Sequence, residues 1–386
     1  MRIEADWLAS PAADSLTSAL ERAGHRALFV GGCVRNALLG TPVTDLDLAT
    51  DAVPHDVMHI ADAAGLKPVP TGIEHGTVTV VHEGVPIEVT TFRADVETDG
   101  RHATVRFSHD VAEDAARRDF TMNALYCDGK GEVIDPLGGL PDLLARRLRF
   151  VGNPVRRVRE DYLRILRFFR FHAWYADPDS GLDADGLAAC AAEADGLTQI
   201  SAERIGAEMK KLLSAPDPGP AVAAMGQTGV LAQTLPGADA MALSRLIALE
   251  AEAVVLPRAM ARLAALGGTE VDRRLRLSRA ETRERETLLG AATGLQGAAE
   301  IGWRLGSDRA RAVLALRAAL TCAPFPEGME KAISEGVSAT FPVRAKDLMP
   351  AYQGADLGRR LTALERAWVA SGFAMTRADL LALPDI

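Results

Sequence analysis

Apolar and polar positions alternate along this chain in a way that sets out its elements before any chemistry is considered. Asp14 to Ala23 carries Leu16 and Leu20 one turn apart and stops at Gly24, which predicts an amphipathic helix. Leu28-Phe29-Val30 is a short apolar run closed by Gly31-Gly32 and predicts a buried strand. Val34 to Leu39 then predicts a short helix with Arg35 in its first turn and Gly40 as its stop. Thr44-Asp45-Leu46-Asp47-Leu48 alternates with period two, as a half-buried strand does. Pro54 to Ala64 predicts another helix. Thr77–His82 and Pro86–Phe92 predict two strands joined by a Glu83-Gly84 turn. Asp95 to Val105 is polar and glycine-containing and reads as a flexible loop. Glu160 to Ala173 predicts one helix with an apolar stripe of Tyr162, Ile165, Leu166 and Phe169, and a second row of Asp161, Arg164, Arg167 and Arg170. Beyond Pro216-Asp217-Pro218-Gly219-Pro220 the pattern is helical throughout, with Ala242–Ala264, Ser278–Leu289 and Ala310–Ala319 as the clearest segments and no fixed-period repeat.

Composition adds bounds. A chain of 386 residues, 48% hydrophobic and 25% charged, has room for two or three globular domains. No stretch is long and apolar enough to span a membrane, and the N-terminus lacks the apolar core of a signal peptide, so a cytoplasmic location without membrane contact is the expectation. The four cysteines form no Cys-x-x-Cys, which argues against a zinc site or a disulfide framework. His55 and His59 stand four apart but have no third ligand nearby, so they read as a solvated helix face. The formal net charge of −9 argues against general nucleic-acid binding. Yet nine arginines crowd into Ala145–His172 with only Glu160 and Asp161 against them, a local excess suited to triphosphate and RNA backbone.

The chemistry concentrates early. A glycine turn before a helix start offers backbone N–H groups to phosphate. Asp45 and Asp47, two apart on a strand, present adjacent carboxylates that repel unless a hard cation joins them. Cradle and carboxylate pair together suit two-metal phosphoryl transfer. Glu88, in the second strand of the hairpin, reads either as a third carboxylate for the metals or as a solvent-facing strand residue. Arg118, Asp119 and Asn123 supply donors and acceptors for the ribose and phosphate of a nucleotide. Asp161 can accept from an exocyclic amine while Arg164 donates to a bare ring nitrogen, a pairing that fits cytosine and adenine and sets like against like for uracil and guanine.

Gly31-Gly32-Cys33-Val34-Arg35-Asn36-Ala37-Leu38-Leu39-Gly40 with Asp45-x-Asp47 resembles the signature of the nucleotidyltransferase superfamily that includes DNA polymerase β, in the branch of CCA-adding enzymes and poly(A) polymerases. Arg117-Arg118-Asp119 to Asn123, Glu160-Asp161-x-x-Arg164, Asp99-Gly100-Arg101 and Ser201 to Glu208 match further motifs of that family. Asn36 stands where the family usually has Asp. The resemblance spans roughly residues 25 to 215 and implies an α+β fold, a polymerase-β-like head with a small mixed sheet followed by an all-α neck, body and tail. The boundaries expected are a head at 1–140, a neck at 141–215, and a body and tail at 216–386 that contact tRNA. It implies tRNA, CTP and ATP as partners, with no protein partner evident, and Mg²⁺ (or Mn²⁺) as cofactor. It implies nucleotide contacts from Gly32, Arg35, Arg118, Asp161, Arg164, Arg167 and Arg170, a mobile segment at 95–105, and a supporting role for the helix after Ser201. The alternatives are a poly(A) polymerase or enzyme adding A alone, and a non-catalytic RNA-binding protein on the same fold.

Overall fold

In the computed structural model of the protein, residues 1–99, 102–325 and 327–384 are described, with the backbone alone at 95–99 and 102–105. The described chain forms two compact units, Met1–Thr234 and Leu235–Ile386. The architecture is α+β, a mixed sheet with helices first and helices alone afterwards.

In the first unit α1 (Pro11–Arg22) starts behind Ser10, whose hydroxyl accepts from the Ala13 N–H, and buries Leu16 and Leu20. β1 (Ala27–Val30) is buried at every position, and α2 (Gly32–Leu38) follows it directly. β2 (Leu46–Thr50) runs antiparallel to β1. It starts two residues later than the alternation predicts, so Asp45 lies just before the strand and Asp47 within it. α3 (Pro54–Ala63) leaves His55 and His59 exposed. β3 (Lys67–Gly72), β4 (Thr77–His82) and β5 (Val85–Thr91) build an antiparallel meander, with Glu83 and Gly84 both at positive φ in the tight turn.

The described residues of the expected loop at 95–105 are strands. β6 (Arg93–Asp99) and β7 (His102–Phe107) pair antiparallel as a separate hairpin. Polarity suggested a loop, but Val96, Thr98, Thr104 and Val105 are β-branched and favour extended backbone. Gly100 and Arg101, two thirds of the Asp-Gly-Arg match, lie outside the described residues. The main sheet is completed by β8 (Tyr126–Cys127) and β9 (Val133–Ile134), giving the order β3-β4-β5-β2-β1-β8-β9 with β2 and β5 parallel.

The helices that carry the charged row follow. α4 (Val111–Ala116) and α5 (Leu140–Leu144) precede α6 (Pro154–Glu160), α7 (Leu163–Tyr175), α8 (Ala184–Ala192) and α9 (Ala202–Leu213). Phe120 meets Phe150 and Phe171 at 4.9 and 5.1 Å between ring centres, and Phe150 stacks on Phe168 at 5.4 Å. These rings fix α7 against the segment that bears Arg118 and Asp119. Ile165, Leu166 and Phe169 are buried as the stripe predicts, and Phe168 joins them.

Among the described residues the second unit has helices joined by turns and loops, with no strand beyond an isolated bridge between Ala238 and Gly267. The stretch expected as one segment, Ala242–Ala264, is two helices, Ala240–Glu252 and Ala259–Leu266, separated by Val254 at positive φ and by Pro257. Its C-terminal core gathers Leu364, Trp368 and Leu380 with Trp303, Phe341 and Phe373.

Candidate functional site

The glycine turn between β1 and α2 is a conformational requirement. Gly31 has φ 71° and ψ −116°, which a side chain resists. Its N–H donates to the Leu125 carbonyl, and a Cβ added there would lie 3.5 Å from Arg118 Nη1. No side chain caps α2. Arg118 thus rests against the turn at Gly31, and Arg35 Nη2 lies 3.9 Å from a Cβ added at Gly32.

Beside it stand the carboxylates. Asp47 on β2 is in register with Glu88 on β5, so the two side chains leave one face of the sheet together, while Leu48, Ile87 and Val89 pack behind. This places Glu88 with the carboxylate pair, one of its two readings. Asp45 accepts from the Thr44 hydroxyl at 3.0 Å. Partial withdrawal from water raises the Asp47 carboxyl above its ordinary range; the Glu88 and Asp45 charges push the same way and Arg118 opposes them. Crowded hard oxygens of like charge are the donor set a divalent cation relieves. Among the described residues no three ligating side chains already converge on one point. Asp47 and Glu88, with Asp45 close by, are the residues here that could hold such an ion.

Arg118 is held from behind. Its Nη2 donates to Asp114 and its Nε to the Tyr126 hydroxyl, which in turn donates to Asp114 at 2.7 Å. Burial alone would lower its pKa, but Tyr126 and Asp114 outweigh burial and raise it. Burial works against the Asp114 carboxylate as well, yet Arg118 and Arg117 bring it down to about 2.

Asp119, Asn123, Arg35 and Arg167 form one connected network. Asp119 Oδ1 accepts from the Phe120 N–H and from Asn123 Nδ2, and its Oδ2 accepts from Arg167. Asn123 Oδ1 accepts from Arg35 Nη1 at 2.6 Å. Arg35 also donates from Nε and Nη2 to Asn36 Oδ1, and from Nη2 to the Tyr175 hydroxyl. Its guanidinium lies 3.9 Å from the centre of the Tyr175 ring. Burial lowers its pKa, and the charges of Arg170 and Arg167 add to that. Four of its five donors thus have protein partners. Asn36 uses its amide twice, accepting from Arg35 and donating to the Pro42 carbonyl. An aspartate there could do only the first.

The charged row differs from its expected form. The helix breaks: α6 ends at Glu160, Asp161 is extended (φ −155°, ψ 104°), and α7 begins at Leu163. Asp161 therefore does not lead the arginines along one helical face. Its Oδ1 accepts the Leu163 N–H and its Oδ2 accepts from Arg204 at 2.7 Å. Arg164 donates to Glu160 Oε2 at 2.6 Å and to the Arg157 and Arg117 carbonyls. Arg170 pairs with Glu208.

Nor is the arginine stretch as bare as the sequence suggests. Asp142 faces Arg147 and Arg149, Glu160 faces Arg156, Arg157 and Arg164, and Glu193, Asp119 and Glu208 face Arg159, Arg167 and Arg170. Nine guanidiniums against these five carboxylates still leave a positive excess. Its exposed members are Arg146, Arg147, Arg149, Arg156 and Arg159. A cleft of about 680 Å³ opens among Arg149, Asn153, Arg156 and Arg157, with Asp183 and Asp185 also on its wall; Asp45, Asp47 and Glu88 do not border it.

Sequence reasoning passed over Asp114, Tyr126 and Tyr175, and took Arg204 and Glu208 only as part of the supporting helix after Ser201. Asp114 had a signal, since it stands four residues before Arg118, the spacing of a helical ion pair. The others meet their partners through tertiary contacts alone.

Comparison with known proteins bears on all of this. Residues 27–149 match the family model described as the poly A polymerase head domain, and residues 182–241 match the probable RNA and SrmB-binding site of polymerase A. The chain is 32% identical over 383 residues to the mitochondrial CCA tRNA nucleotidyltransferase 1 of Mus musculus, covering 95% of this chain and 88% of that protein. It is 44% identical over 220 residues to the CCA-adding enzyme of Geobacillus thermodenitrificans, a match that spans about half of each, 56% and 52%. Among solved structures it resembles the Bacillus stearothermophilus CCA-adding enzyme in complex with CTP, with a TM-score of 0.74, 34% identity and 94% of each chain covered.

Proposed function

The chain belongs to the family of CCA-adding tRNA nucleotidyltransferases, and from that premise we propose that it adds C, C and A in turn to the 3′ end of tRNA, using CTP and ATP without a nucleic-acid template. The tRNA 3′-hydroxyl attacks the α-phosphorus, the bond to the β-phosphate oxygen breaks, and pyrophosphate leaves. We assign residues 1–140 as the catalytic head, 141–215 as the neck, and 216–386 as a tRNA-contacting body and tail.

The family implies dependence on a divalent metal; we assign Mg²⁺, with Mn²⁺ as substitute, to Asp45, Asp47 and Glu88. Bound there, such ions lower the pKa of the attacking hydroxyl and offset charge on the departing pyrophosphate. The protein's own groups do the rest. The Gly31-Gly32 turn, Arg118 and Arg35 receive the triphosphate. Asp119 and Asn123 orient the ribose, and Asp161 with Arg164 selects the base, Arg167 and Arg170 lying alongside.

The observation that carries this reading is the position of Arg118. Its Nη1 lies against the phosphate-suited turn, and its charge acts on Asp47. Triphosphate and metal carboxylates would thus meet at one cation. The test is stepwise extension of tRNA transcripts ending before, within and after the terminal triplet. CTP should be used twice, ATP once, and then extension should stop; Asp47→Ala should abolish extension while tRNA is still retained. Use of ATP alone on arbitrary RNA, or full activity in Asp47→Ala, would overturn the reading.

A further inference from the structure

One short segment, Leu125-Tyr126, touches both the glycine turn and the cation beside it. The Leu125 carbonyl accepts the Gly31 N–H at 3.3 Å, and Tyr126 on β8 is in register with Val30 on β1, so the backbone here fixes the turn. The Tyr126 side chain runs to Arg118. Its ring is fully buried in a cluster with Leu28, Val30, Val111 and Ala115, 5.2 Å from the Arg118 guanidinium. Its hydroxyl accepts from Arg118 Nε at 3.1 Å and donates to Asp114 Oδ2 at 2.7 Å. The same Asp114 oxygen accepts from Arg118 Nη2 at 3.0 Å.

We infer that Tyr126 is a positioning residue for triphosphate binding: its hydroxyl and Asp114 together dock the Nε–Nη2 edge of Arg118 and so aim Nη1 at the glycine turn. This rests on the reading of Arg118 and that turn as the triphosphate's receivers. The Nε–H and one Nη2–H of a guanidinium point the same way, so two acceptors set side by side fix its plane. With Asp114 alone the charge pair would survive, but the plane could pivot about a single hydrogen bond. Asp114 is shared in any case, since its Oδ1 accepts from Arg117 and from the Arg93 N–H. The acceptor that faces Nε is the hydroxyl.

The two ends of Arg118 differ in a way that supports this role. The dock is dry, with Tyr126 and Asp114 both 0% exposed, whereas the Arg118 side chain keeps 19% of its surface open. Nη1 donates to no protein acceptor among the described residues. It lies 3.5 Å from a Cβ added at Gly31. Nη1 is therefore the end left to meet a phosphate oxygen, and its aim is set from the far side of the guanidinium. A small error in such an aim weakens a charge-assisted contact sharply. A hydroxyl present for packing alone predicts lower stability and unchanged phosphate affinity; a positioning hydroxyl predicts loss of phosphate affinity.

The experiment uses the full chain, with inorganic pyrophosphate as the probe. Its binding is measured by calorimetry, and kcat and KM for CTP, UTP and ATP are measured on tRNA transcripts. Tyr126→Phe keeps the ring. It should weaken pyrophosphate binding about ten-fold and raise KM for CTP and ATP by a similar factor, with kcat and the CTP/UTP ratio of kcat/KM nearly unchanged. In an Arg118→Lys protein the same substitution should add little, because an ammonium has no edge to align. Wild-type pyrophosphate affinity in a folded Tyr126→Phe protein, or an equal further loss in the Arg118→Lys protein, would overturn the inference. Should Tyr126→Phe not fold, Asp114→Asn removes the other half of the dock: weaker pyrophosphate binding supports the role and wild-type affinity rejects it. A wild-type protein that extends no transcript would take down the functional reading, while the pyrophosphate comparison would still decide this one.

Discussion

Arg118 shows how much one side chain depends on another the sequence hardly advertises. Asp114 is buried among Arg117, Arg118, Tyr126 and the Arg93 N–H, and it keeps Arg118 in place at the glycine turn. Its carboxyl falls from an ordinary 3.8 to about 2 in the folded protein. A folded value below the unfolded one means that the stabilisation is fully present above about pH 4 and is lost as pH falls through 2. At neutral pH it is on the order of 2 kcal/mol. The urea midpoint should therefore decline between pH 4 and pH 2, and Asp114→Asn should lower the neutral midpoint and flatten that decline. The Asp45-x-Asp47 spacing, by contrast, was read from alternation; Asp45 lies just before the strand, and its charge still acts on Asp47. Glu88 was not, since its proximity to Asp47 depends on the parallel register of β2 with β5.

Among the elements, α7 matters most, and only part of it was legible beforehand. Its apolar stripe was readable because burial follows helical spacing. Its start was not: Asp161 and Tyr162 continue the periodic pattern, and the break is set by tertiary contacts. Tyr162 packs so closely over Gly196 that an added Cβ would fall 2.0 Å from its ring. At the other end of α7, Tyr175 joins the helix to α2 through Arg35, by a 2.8 Å hydrogen bond and by its ring face. Tyr175→Phe keeps the ring and removes the hydroxyl. It should raise KM for CTP and ATP alike by about ten-fold, as expected for a lost bond to a charged group, and leave the CTP/UTP ratio unaltered. Steady-state kinetics on one tRNA transcript would show it.

At the scale of the whole molecule, a net charge of −9 coexists with a positive excess concentrated between Ala145 and His172. An acidic protein repels RNA at long range and must hold it through local contacts that release counterions. Raising salt from about 50 to 200 mM should therefore weaken tRNA binding roughly ten-fold, as neutralising about two phosphates implies, and should alter KM for CTP much less. Filter binding and kinetics at matched ionic strengths would test this. The sequence by itself determined what depends on local order: the glycine turn, the buried stripe of α7, the helical second half. These follow from residue spacing and backbone preference, which need no distant partner. Only the tertiary structure decided that Glu88 stands beside Asp47, that Arg118 rests on Gly31, that Asp161 answers to Arg204, and that most of the arginines already face carboxylates. Each of those is a meeting of residues far apart in the chain, and charge pairing across such distances is set by how the elements pack, leaving no periodicity to read.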